Sequence, residues 1–225
     1  MTLAMKCDRL LVAGMSVALV LLMGPQITGR AGHEWLGLAL LGLALAHQWP
    51  HRAWHARLRK VRYTTRRAGT TILTLLLATA FCLTAATCVL MSGHAVPFLA
   101  ASAELETIRR LHTALSHWSF VLAGVHCGMH GQRLIGDLTG VYIPSGLRLP
   151  GLHIVALLVF SLLGLYLFIP ARYADYMLFR APFVFLDYDK PWIIVAGENA
   201  LRFATLIGIA AFCRELRDHF SPHGG

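Results

Sequence analysis

Charge is scarce in this chain and acidic charge scarcest: 14% of its 225 residues are charged, with 11 Asp and Glu against 20 Lys and Arg. Soluble domains carry about 25% charged residues, so an ordinary soluble fold is excluded. Cysteine is limited to five scattered residues (Cys7, Cys82, Cys88, Cys127, Cys213), and those within the apolar stretches read as small buried apolar residues. No Cys-x-x-Cys-His is present, and that rules out covalent c-type haem attachment. A cleavable leader is not expected either, because the first apolar run is followed by Gly24-Pro25 and not by a small-residue cleavage site.

What the chain has is apolar length. It is 56% hydrophobic, with a mean hydropathy of +0.60. A hydrocarbon core of about 30 Å needs roughly 20 mostly apolar residues per helix. Six stretches qualify, at 9–28, 33–50, 69–92, 109–131, 151–170 and 191–213. The expected fold is therefore all-α, a single transmembrane domain over residues 1–225: a six-helix integral membrane bundle with a four-helix core, leaving no room for a separate soluble domain.

The basic excess does not point to nucleic acid, because of where it lies. Arg52, Arg57, Arg59, Lys60, Arg62, Arg66 and Arg67 crowd between the second and third stretches. Such a cluster marks a cytoplasmic loop and contact with anionic lipid. With six spans, both termini are then cytoplasmic, the N-terminus with Lys6 and Arg9 and the C-terminus with Arg214 and Arg217. The expected location is a bacterial cytoplasmic (inner) membrane.

Histidine carries the chemistry. His33 and His47 are fourteen residues apart in the second stretch, and His112 and His126 are fourteen apart in the fourth. On a helix, fourteen residues advance about 21 Å and return to within roughly 40° of the starting direction, so each pair leaves one face. Twelve histidines in a chain of this length give by chance about 0.6 pairs at any one separation. Two pairs, each in an apolar span and at matched depth in parallel helices, say more than one. An imidazole in hydrocarbon needs a partner, and iron is one it ligates well. His33 and His112 are expected to ligate one haem b near the outer surface, and His47 and His126 a second near the inner one.

Small residues stand beside the outer ligands at Gly37 and Ser116, with Gly42 and Gly124 further in; they let a flat macrocycle approach the backbone. Arg109 and Arg110 lie just outside His112 and are candidates for binding haem propionates, as is Arg30; Arg52 and Arg133 are the inner counterparts. His51 and His130 each follow an inner ligand by one turn and compete for that site. Pro50 should end the helix before His51. His117 points away from His112 by about 140° and reads as a bystander, whereas His94, His153, His219 and His223 fall at span ends or tails.

The segments His33-Glu34-Trp35-Leu36-Gly37 with His47, Leu111-His112 with Ser116, Trp118 and His126, and Leu186-Asp187-Tyr188-Asp189-Lys190-Pro191 resemble a bacterial family of six-span, cytochrome b-like membrane proteins. More distantly the histidine pattern is similar to the transmembrane core of ferric reductases and NADPH oxidases, in which electrons cross a membrane through two stacked haems. That resemblance implies a di-haem electron carrier working with a quinone or a redox partner protein. The pairs here occupy the second and fourth spans in place of the third and fifth. The chain also lacks a flavin- or nicotinamide-binding domain, so direct NAD(P)H use is not implied.

Glu198 and Arg202 in the last span have the i, i+4 order of an ion pair, at a depth where charges face a bundle interior or water. They are the candidates for a proton or quinone site. Tyr173 to Lys190, rich in aromatics, reads as an interfacial stretch lying over the outer face. A haem-free alternative remains: a membrane protein that handles zinc, copper or iron through the same histidines. Against it stand the separated depths and the few carboxylates.

Overall fold

The computed structural model describes residues 3–58, 64–100, 105–139, 159, 161–181 and 183–220, and among these the chain is all-α, with no strand. Its helices are α1 (Leu3–Leu22), α2 (Pro25–Gln48), α3 (Arg52–Arg57), α4 (Thr65–Leu90), α5 (Leu105–Thr139), α6 (161–166), α7 (Tyr173–Met177) and α8 (Trp192–Phe220).

The first two expected boundaries need correction. The first stretch does not run to 28: α1 stops at Leu22, and Pro25 opens α2. Proline at a helix's first position loses no hydrogen bond and presets φ, so Gly24-Pro25 starts a helix inside what hydropathy alone reads as one span. Gly24 packs closely there. A Cβ on it would lie 2.7 Å from Ile27 Cδ1 and 3.0 Å from Val195 Cγ1. α2 therefore begins eight residues before His33 and is broken once, at Gly29, whose φ of 65° lies in the left-handed region that favours glycine. Pro50 ends α2 before His51, as expected. Cys82 and Cys213 lie on the surface and not in the interior. Of the fifth stretch, 151–158 and 160 lie outside the described residues, and 161–166 form α6.

Two antiparallel pairs organise the molecule. α1 packs along α2, with Asp8 meeting His47 and Gly14 facing Leu43. α4 packs along α5, with Thr84 bonded to Ser119. The α4 threonines donate to the preceding turn: Thr74 to the Thr70 carbonyl, Thr84 to that of Ala80, Thr87 to that of Leu83. Each hydroxyl proton is thereby satisfied within an apolar helix.

α8 closes the other side of α5. Gly124 and Gly128, one turn apart, let the two backbones approach: a Cβ on Gly124 would sit 2.7 Å from Leu206 Cβ, and one on Gly128 would run into the Ile207 carbonyl. This is small-xxx-small helix packing. Gly124 thus serves the α5–α8 contact, not the histidine face. Phe120, Tyr173 and Phe203 form the core beside it.

α4 and the Trp192–Arg214 part of α8 are long and apolar enough to cross a membrane, with mean hydropathies of 2.2 and 1.5. Only 11% of the α4 window is buried, and large apolar side chains such as Leu10, Leu45, Trp49 and Leu76 are exposed. So much exposed apolar surface marks a membrane or partner interface.

Candidate functional site

α2 is held closely by α1 and only lightly by α4 and α8, and a cavity of about 580 Å³ lies beside it, between it and the rest of the bundle. That volume falls in the range of cofactor sites, about 300–1,000 Å³. His33 and His112 both line it, with their ring centroids 6.3 Å apart and their planes at 72°. Metal–imidazole bonds of about 2.0–2.1 Å, plus roughly 1.1 Å from nitrogen to ring centre, put two axial imidazoles on one metal roughly 6 Å apart. Gly37 and Ser116 line the same cavity.

Ring orientation follows from the hydrogen bonds. Thr87 Oγ1 spends its proton on helix carbonyls, so at 3.1 Å it accepts from His112 Nδ1. The proton is then fixed on Nδ1, and Nε2 keeps its lone pair. Thr74 does the same for His126 at 3.4 Å, and the Asp8 carboxylate accepts from His47 Nδ1 at 2.9 Å. Metal-binding histidines typically donate their second ring N–H to such a partner. His33 differs: its Nδ1 is buried with no partner. Three of the four histidines thus have Nε2 left over for ligation, and the fourth has a buried nitrogen unfilled.

At the other end of the pair, His126 lies within electrostatic reach of His47, His51 and His130. Its ring is 4.7 Å from that of His130, and the rings of His47 and His51 are 4.8 Å apart. Because His33 meets His112 and His47 approaches His126, α2 and α5 run parallel. Asp8, His47 and His51 can bring one ligand atom each to within 4.8 Å of one another.

The arginines divide differently from expectation. Arg109 is exposed, and Arg110 donates to the Phe179 carbonyl at 2.9 Å. Neither lines the cavity, whose cations are Arg172, Lys190 and Arg202. Arg30 extends toward Glu34, 3.7 Å away. Arg52 donates to the Trp49 carbonyl, and the Arg133 side chain lies outside the described residues. Glu198 and Arg202 do form the expected ion pair, at 3.1 Å, and Lys190 also bonds Glu198. Arg202 is buried and further donates to Asn199 Oδ1 and the Leu167 carbonyl, tying α8 to α6 and the turn after it.

The aromatic stretch folds over the cavity, with Tyr173, Tyr176, Phe185 and Asp187 on its wall. Burial pushes the Tyr173 phenol up from its ordinary pKa, with the nearby Arg202 charge opposing. His117 also lines the cavity. It is buried between Tyr173 and Tyr176 and donates from Nδ1 to the Thr113 carbonyl at 2.7 Å. His94 caps Glu34, while His153 and His223 and the side chain of His219 lie outside the described residues.

Sequence reasoning did not single out Asp8, Thr74, Thr87 or Glu34. Glu34 is buried and collects the Ser92 hydroxyl, the backbone N–H groups of Gly93, His94 and Ala95, and His94 Nδ1. A carboxylate beside His33 in an apolar stretch was its available signal. No protein-family model, curated protein or solved structure matches the chain.

Proposed function

We propose that this protein is a di-haem b-type cytochrome that carries electrons across a bacterial inner membrane through six spans, with both termini cytoplasmic. The observation that carries the reading is the His33–His112 pair, 6.3 Å apart on a large cavity, with His112 held through Nδ1 and His33 Nδ1 left unfilled. His33 and His112 would hold one haem and His47 and His126 the other. Bound haem supplies one-electron chemistry at each site. The residues contribute orientation: Thr87, Thr74 and Asp8 fix three imidazole tautomers, and the Tyr173–Lys190 stretch keeps water off the outer site.

Topology supports this reading. Arg66 and Arg67 of α4, His130 of α5, and Arg214 and Arg217 of α8 line one common pocket, so the cationic ends of three helices lie on one side. The resemblance to cytochrome b-like proteins points the same way and implies a quinol or cytoplasmic flavoprotein donor and a role as oxidoreductase or electron-transfer subunit. Membrane lipid is the surrounding partner. Glu198 and Arg202, on the cavity wall, would serve proton or quinone exchange at the outer site.

The test is an absorption spectrum of the detergent-purified protein. A Soret band, and sharp b-type bands on reduction, are expected at two haems per chain; their absence sinks the cytochrome reading. One grouping favours a second reading, a haem-free metal-handling protein: Asp8, His47 and His51 form a compact set of ligand atoms. Stoichiometric zinc or copper in a protein without a Soret band would establish that reading.

A further inference from the structure

The partners on the ring nitrogens at the two sites differ in kind. At the outer site the partners are neutral, the Thr87 hydroxyl 3.1 Å from His112 Nδ1 and the Thr84 backbone beside the same ring, and His33 Nδ1 has none. At the inner site the partners are the Thr74 hydroxyl on His126, at 3.4 Å, and the Asp8 carboxylate on His47, at 2.9 Å. Asp8 reaches from the first turns of α1 because α1 and α2 are antiparallel and joined by only two residues. Its second oxygen lies 3.7 Å from His51 Nε2, so the same carboxylate is the anion beside either inner candidate.

We propose that Asp8 is a positioning residue that makes the inner site the lower in reduction potential, and so sets the favoured direction of electron passage from the inner to the outer site. This inference rests on the cytochrome reading. A carboxylate accepting the Nδ1–H of an axial imidazole raises the basicity of the ligating Nε2 and favours the higher oxidation state of the metal. A hydroxyl does so much less, because it brings no net charge. The other carboxylate near a ligand, Glu34, acts on His33 through space alone, without the Nδ1 hydrogen bond by which Asp8 acts. Its oxygens are taken up by donors from Ser92 to Ala95, and no ring nitrogen of His33 is among them. Cations stand at both ends and do not set the order: Lys190 and Arg202 on the outer cavity are both paired with Glu198, and Arg66, Arg67, Arg214 and Arg217 line a pocket with His130 at the inner end. What distinguishes the inner site is a carboxylate hydrogen-bonded to a ligand's own ring nitrogen. Passage between the sites is a one-electron exchange, one iron oxidised and one reduced, that needs no proton or co-reactant.

The experiment is a potentiometric titration of the purified full-length protein, followed at the reduced b-type absorbance, with the inner haem assigned as the one missing in His126→Ala. Wild type should give two midpoints, the lower belonging to the inner haem. Asp8→Asn keeps an acceptor oxygen but removes the charge, and should raise that midpoint while leaving the outer one in place; Asp8→Glu should keep it low. Two bound haems with unmoved midpoints in Asp8→Asn, or a shift confined to the outer haem, overturns the proposal. If Asp8→Asn loses the inner haem, the converse variant decides. Thr87→Asp places a carboxylate at His112 and should lower the outer midpoint, and an unmoved midpoint there overturns the proposal. A wild type with no Soret band overturns the cytochrome reading itself, an outcome the spectrum separates from an unmoved potential.

Discussion

The Ser92 hydroxyl, 2% exposed at the end of α4, donates to Glu34 Oε2 of α2 at 2.9 Å across 58 residues of sequence. That bond is the centre of a clasp. Successive backbone N–H groups from Gly93 to Ala95 turn toward the same carboxylate. The clasp is one of few polar ties between α2 and α4, and it lies one residue from His33.

Removing the carboxylate leaves the buried Ser92 hydroxyl and the N–H groups of the partly exposed turn after it without their acceptor. Glu34→Ala is expected to destabilise the protein by about 1–3 kcal/mol, read as a lowered midpoint of thermal unfolding in detergent. Glu34→Gln keeps two lone pairs and should lose less. If the clasp also sets the His33 ring, Glu34→Ala will lose the outer haem's spectrum before the inner one's.

Glycine-to-alanine changes should divide by what their Cβ meets. Gly128→Ala forces α8 away, with Ala210 Cβ 2.7 Å from the new atom, and overpacking of this kind costs about 1–3 kcal/mol. Gly208→Ala meets nothing within 4 Å and should stabilise the helix by about 0.5–1 kcal/mol. Denaturation curves of the two variants should therefore shift in opposite directions.

Thr87→Val preserves shape and removes the acceptor that fixes the His112 tautomer. Loss of such an outer-shell partner weakens metal binding by about 10–100-fold. The expected result is faster transfer of one haem to a scavenging protein, with the other retained. Thr74→Val should act on the second haem and more weakly, because its bond to His126 is longer, 3.4 Å against 3.1 Å.

Glu198→Gln should leave haem content intact and slow reaction with quinol or external oxidant in stopped-flow mixing. The neighbouring Arg202 keeps its bonds to Asn199 and the Leu167 carbonyl. Unchanged kinetics would reduce the Glu198–Arg202 pair to a structural one.

Local patterns in the sequence carried much of this. The fourteen-residue histidine spacing, the Glu198–Arg202 order and the stop at Pro50 are all short-range features of helices, and each is visible without a fold. The α1–α2 break was blurred because apolar averaging runs straight through Gly24-Pro25. Asp8, Thr74, Thr87 and Glu34 were missed for a different reason. Their partners lie 39, 52, 25 and 58 residues away or more, and only helix pairing brings them together. One trace was there to find: Thr74 and Thr87 are thirteen apart on α4, almost matching the fourteen between the histidines they hold. Gly124 was misread because a small residue serves close helix packing and cofactor approach equally well.

The light contact of α2 with α4 and α8 has a consequence for how the protein is held together. Among the described residues α2 leans mainly on α1, so a ligand in the cavity would brace it against the rest of the bundle. Occupancy and integrity then form one linked equilibrium, in which a ligand at a hundred times its Kd adds about 2.7 kcal/mol of stability. Under the proposed di-haem reading, haem added to the purified protein would then raise its unfolding midpoint as well as fill the site.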